Sequence, residues 1–155
     1  MRFILIDRIL EMIPGQTIVA AKHIGPEEEY FRDHFPGFPV VPGVLLTEMM
    51  AQTAGKCLDA ERPSRGKAML VQIRSASFRD WVVPGKHARI HASIGTNQSQ
   101  YATATCHVEV DDKNVAQAEF LFSFLPLERL APGYQDDILT HFWKQKAKDE
   151  GREHA

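Results

Sequence analysis

The chain has 155 residues and a mass of 17.5 kDa, and its 44% hydrophobic and 25% charged residues make an ordinary globular balance for one domain. A formal net charge of −2 argues against nucleic acid as the main partner. No apolar run approaches the ~20 residues of a membrane helix, and Cys57 and Cys106 form neither a CxxC motif nor a disulfide framework.

Met1 to Leu10 is apolar but carries Asp7 and Arg8 inside the run, without a basic leader or a small-residue cleavage site. It therefore does not read as a signal peptide, and a cytoplasmic protein is expected. Phe3 to Leu10 reads as a first strand. Gln16 to Ile24, β-branched and placed after the Pro14-Gly15 turn, reads as a second. The acidic run Glu27-Glu28-Glu29 leads into a loop dense in Pro and Gly from His34 to Gly43. Val44 to Leu58 has helical composition and is apolar on most sides, so this helix belongs inside something. Strands are then predicted over Ala68–Phe78, Lys86–Ile94, Gln100–Val110 and Val115–Leu125, with Asp111-Asp112-Lys113-Asn114 as a hairpin turn. These four read as a meander of antiparallel strands. A last helix is predicted over Asp137–Lys148, with Ile138, Leu139, Phe142 and Trp143 on one stripe. The whole reads as α+β: a sheet wrapped around one apolar helix over residues 1–130, then a helical extension over 131–155.

Charge is uneven along the chain. Residues 56–91 carry eight basic side chains and three acidic ones, so this window is +5 and the remainder −7. Such a region either steers an acidic partner or forms a solvated strand face.

One stretch concentrates chemistry: His34-Phe35-Pro36-Gly37-Phe38-Pro39-Val40-Val41-Pro42-Gly43-Val44, followed by Glu48 and Gln52. Three prolines and two glycines restrict the backbone beyond His34, the preorganisation a catalytic base needs. Glu48 and Gln52 stand i, i+4 on the helix and can hydrogen-bond, with Gly55 seven residues beyond Glu48 on the same side. Taken alone, this stripe could be solvent-facing and His34 a structural loop residue.

The stretch resembles, almost residue for residue, the signature of the β-hydroxyacyl-[acyl carrier protein] dehydratases of type II fatty acid synthesis. The resemblance extends to Phe3–Arg8 and Phe78–Gly85 and spans about residues 3–125. It implies the hotdog fold, a long central helix wrapped by a curved antiparallel sheet. It also implies dehydration of (3R)-3-hydroxyacyl thioesters on acyl carrier protein to trans-2-enoyl thioesters. His34 would be the base at C2, Glu48 the acid at the C3 hydroxyl, Gly43 a backbone donor to the thioester carbonyl, and Gln52 would orient Glu48. Homodimers with His34 from one chain and Glu48 from the other are implied, with trimers of dimers as a further assembly. A base, an acid and a donor suffice for this chemistry, so no metal or organic cofactor is called for.

The chain also departs from that family. Many members carry a short helix before the first strand, whereas the sequence as given opens on the predicted strand itself. The strand Ala68–Arg74 lacks the gating tyrosine and carries Gln72 in place of a glycine. Arg79-Asp80 stands where a Lys-Arg pair is common, although Arg74, Arg79, Lys86 and Arg89 remain as a basic patch for a carrier protein. Three rivals remain. A hotdog thioesterase would hydrolyse the thioester, a dehydratase/isomerase would have Asp in place of Glu48, and a non-catalytic acyl-binding subunit would need neither His34 nor Glu48. His87 and His91 share a strand face without an evident third metal ligand.

Overall fold

Along the long strands, small apolar residues alternate with polar ones, and this alternation decides how closely a helix can approach the sheet. The computed structural model describes residues 1–153; the last two residues of the expected extension, His154 and Ala155, lie outside it. Six strands form one antiparallel sheet: β1 (Arg8–Ile13), β2 (Thr17–His23), β3 (Lys67–Phe78), β4 (His87–Asn97), β5 (Tyr101–Val110) and β6 (Lys113–Leu125), in the order β1-β2-β4-β5-β6-β3. The long helix α1 (Gly43–Glu61) lies against its inner face. On that face Ala88, Ala92, Ala102, Ala104, Ala116 and Ala118 are all buried. These short side chains leave room for Leu46, Met49, Met50 and Leu58 of the helix, all essentially inaccessible. Thr47 and Thr53, polar and buried, donate to the carbonyls of Gly43 and Met49 one turn back, so neither hydroxyl is left unpaired.

The expected α+β hotdog architecture is therefore present, with three local differences. The first strand begins at Arg8 rather than Phe3, because the Phe3 carbonyl and the Leu5 N–H bond to the Gln52 side chain of α1 instead of a neighbouring strand. Strand β3 does not sit beside β4 as a simple meander requires. It pairs with β6 at the far edge, because the Arg79–Lys86 connection is no hairpin. That connection is pinned through buried Val82, whose carbonyl accepts the Val41 N–H at 2.8 Å. In the C-terminal helix α2 (Asp137–Glu153), Ile138, Leu139 and Phe142 pack on the core, but Trp143 stays substantially exposed. The hairpin at Asp111-Asp112 is as expected, both residues having positive φ as a type I′ turn demands.

No helix is long and apolar enough to cross a membrane among the described residues.

Candidate active site

The loop before α1 is built by its own punctuation. Pro36 and Gly37 occupy the middle of a tight turn in which Phe35 and Phe38 exchange both backbone hydrogen bonds, at 3.0 and 2.9 Å. Gly37 has φ +77°, the left-handed value a type II turn needs at its third residue. His34 is tied down through both its backbone groups and its ring. Its N–H donates to the Tyr30 carbonyl and its carbonyl accepts the Val40 N–H, both at 3.0 Å, while the ring stacks on Phe35 at 3.9 Å. The His34–Phe35 peptide is cis. Buried Val40 and Val41 then anchor the loop to the core.

Gly43 opens α1 directly after Pro42, and no side chain caps this helix end. Its first-turn N–H groups are thus left without a capping acceptor, on the positive end of the helix. A Cβ at Gly43 would come within 3.2 Å of the Phe78 ring, so the glycine permits β3 to approach the start of the helix.

Glu48 and Gln52 meet as their spacing predicts. The Gln52 Nε2 donates to Glu48 Oε1 at 3.1 Å and to the Phe3 carbonyl at 3.0 Å, and its Oε1 accepts the Leu5 N–H at 2.9 Å. Every polar group of this amide is used, and exchanging its O and N would break all three bonds, so the orientation is determined. Both side chains line a half-open cavity of about 750 Å³, within the ordinary range for a small-molecule site. Its walls include Ile4, Ala51, Gly55, Ala68, Leu70 and Ile138. His34 and Gly43 do not line this cavity. Within one chain, the structure brings Glu48 and Gln52 together and leaves His34 and Gly43 outside that space.

Two parts of this region escaped sequence reasoning. The amino-terminal segment and residues 134–138 of the extension both wall the cavity, and Lys56 pairs with Asp136 at 2.6 Å within that wall. An i, i+4 rule cannot reveal contacts between residues this far apart in the chain. The histidines also sort differently from their spacing. His91 stacks on His107 of the neighbouring strand at 4.4 Å, with the Glu109 carboxylate 3.8 Å from His91 Nε2, while His87 faces His23. His91 alternates with inward Ile90 and Ala92, so the trio sits on the outer sheet face, away from α1. Cys57 and Cys106 are buried, and burial pushes their thiols up to about 11 and about 12, which removes both as nucleophiles near neutral pH.

The model of the FabA-like domain family matches residues 1–119. The chain is 37% identical over 123 residues to the 3-hydroxyacyl-[acyl-carrier-protein] dehydratase FabZ of Anaplasma phagocytophilum, covering 77% of this chain and 85% of the relative. It is 38% identical over 117 residues to that of Lactobacillus helveticus, covering 75% and 79%. Among solved structures, a chain of the dehydratase heterocomplex ApeI:P from Xenorhabdus doucetiae superposes with a TM-score of 0.65 at 13% identity, over 79% of this chain and 84% of that one. A hypothetical thioesterase with coenzyme A from Streptococcus pneumoniae gives 0.61 at 12% identity, over 77% and 86%. At such identities these two share the fold and nothing more specific. With a family match over most of its length and these curated relatives, the chain belongs to the FabA-like family, alongside the FabZ 3-hydroxyacyl-[acyl-carrier-protein] dehydratases.

Proposed function

We propose that this chain dehydrates 3-hydroxyacyl thioesters borne by acyl carrier protein to trans-2-enoyl thioesters, with His34 and Glu48 as the proton-handling pair. The observation that carries the reading is Glu48 itself, a carboxylate on the largely apolar first half of α1, oriented by Gln52 and opening onto a cavity of ligand size. In this reaction His34 takes the C2 proton. The electron pair left behind forms the C2–C3 double bond, and the C3–O bond breaks as Glu48 protonates the departing hydroxyl to water. The Gly43 N–H donates to the thioester carbonyl as negative charge builds there, where the positive helix end favours it. Gln52 keeps the Glu48 carboxyl aimed at the hydroxyl.

Because His34 does not line the Glu48 cavity of its own chain, the working site takes His34 from one protomer and Glu48 from its partner. The uncovered surface supports this. Strand β3 ends the sheet with its hydrogen-bonding edge unpaired, and Met69, Val71, Ile73 and Phe78 along it are 44–55% exposed. Val44, at the start of α1, is 75% exposed. An apolar edge strand bare on both faces is an aggregation hazard unless another chain covers it. A second copy pairing through β3 removes the hazard and completes the site. On the basic window, Lys56 and Lys67 are consumed by Asp136 and Asp59, while no ion pair engages Arg74, Arg79 or Arg89 among the described residues. These three are free to meet an acidic carrier protein.

The test is an absorbance assay of enoyl formation from a 3-hydroxyacyl thioester on carrier protein and on coenzyme A, with free thiol read in parallel. Wild type should form enoyl product faster from the carrier-bound form. His34→Ala and Glu48→Gln should each lower kcat by about 10²- to 10⁴-fold, the usual worth of a positioned acid or base. Thiol release without enoyl product would instead make the protein a thioesterase.

A further inference from the structure

The cavity continues past the catalytic carboxylate, and what lies there has no part in the dehydration step. From Glu48 the lining follows one side of α1 through Gln52 to Gly55, seven residues and about 10 Å along the axis. Glycine inside a helix is costly relative to alanine, and Gly55 has no local reason to be one. It does not have positive φ, and an added Cβ would find Ala68 at 4.0 Å as its nearest neighbour. The missing side chain keeps space open in the cavity. Ala51 and Ala68 keep it open from either side, and Phe122 adds an apolar wall.

That space is bounded on one side by the C-terminal extension, which lies beyond the family match. Asp136 anchors it twice. One carboxylate oxygen caps α2 by accepting the Ile138 and Leu139 N–H groups at 3.1 Å, and the other accepts Lys56 Nζ at 2.6 Å, with both charged side chains 13% exposed. Lys67, also in the wall, is held by Asp59 at 2.5 Å. An apolar tail reaching these ion pairs would strip their remaining water and return nothing, so the pairs mark where apolar room ends.

We infer that the C-terminal extension, through Ile138 and Asp136, bounds the acyl compartment beyond Gly55 and thereby sets the longest chain accepted. This rests on the dehydratase reading above, and it assigns the extension a role in specificity.

The experiment measures kcat/KM on carrier-bound 3-hydroxyacyl substrates from hydroxybutyryl to hydroxypalmitoyl for wild type, Gly55→Leu and Ile138→Ala, all in the full chain. Binding of unreactive acyl-pantetheine amides of the same lengths is measured in parallel. Gly55→Leu should lose at least ~10-fold on chains of decanoyl length and above while keeping hydroxybutyryl, because even one methylene of misfit in an apolar pocket is worth that much. Ile138→Ala should move the optimum to longer chains. Gly55→Ala, which suits the helix better, should melt no lower than wild type and serves as the folding control. A wild type active on a range of lengths, with both variants leaving that profile and the amide affinities unchanged, would overturn the compartment and leave the dehydratase standing. A wild type inactive at every length would overturn the dehydratase reading, and the compartment would then stand or fall on whether Gly55→Leu abolishes the length dependence of amide binding.

Discussion

At the scale of single residues, the Gln52 amide uses both its oxygen and its nitrogen in hydrogen bonds, whereas Tyr30 Oη, Arg65 Nε and His91 Nε2 are buried without a hydrogen-bond partner among the described residues. The Gln52 amide joins the amino-terminal segment to the Glu48 carboxylate, so one side chain ties the start of the chain to the candidate site. That Glu48 and Gln52 would touch was legible from their spacing. That Gln52 would also bond the backbone of Phe3 and Leu5 was not, since a contact between residues 47 or 49 positions apart leaves no trace in periodicity. The outer-face histidines give a prediction of a different kind. Burial first, and then the neighbouring His91 ring, hold His107 below its ordinary value of 6.5, with Glu109 opposing. The unfolded chain therefore takes up the proton at higher pH than the folded one does. Stability is full above pH 6.5 and is lost as pH falls from there through the lower folded pKa. Thermal melts from pH 8 down to 5 should show a shallower acid-side decline in His107→Gln than in wild type. Parallel declines would contradict this.

At the scale of elements, β5 was readable because its burial alternates with period two, and α1 because it is apolar on most of its sides. The neighbours of β3 were not readable. Both its faces lie exposed in the single chain, so its alternation carries no information about which strand it joins. The acidic start of α2 was visible in the sequence, but its partner on α1 was not. This junction makes a sharp prediction. Asp136→Ala removes a helix cap, worth about 0.5–2 kcal/mol, and also leaves Lys56 largely buried without its counter-charge. A loss of at least about 2 kcal/mol is expected in denaturant unfolding of the purified protein. Asp136→Asn keeps a capping oxygen and should lose less. Equal losses for the two variants would show that the cap contributes nothing and the ion pair everything.

At the scale of the whole molecule, the single chain leaves two features that a second copy would complete. Its sheet stops at an apolar, unpaired edge, and its candidate base sits outside the cavity that holds its candidate acid. The resemblance of the His34–Gln52 stretch to dehydratases implies a shared site, which periodicity alone could not suggest. Ile73→Lys places a charge in the middle of the exposed edge, where a second copy would have to desolvate it. The variant should elute as a monomer in light-scattering chromatography and lose dehydratase activity together with its dimer. A monomer that keeps full activity would remove the need for a partner.

The most direct measurement mixes two dead proteins. His34→Ala and Glu48→Gln are purified separately, assayed alone, then co-refolded and assayed again for enoyl formation. If each site draws His34 from one protomer and Glu48 from the other, every mixed dimer regains one intact site and the mixture recovers about a quarter of wild-type activity by statistical pairing. If both residues act within one chain, no mixed dimer holds an intact pair, and the mixture stays as inactive as its parents.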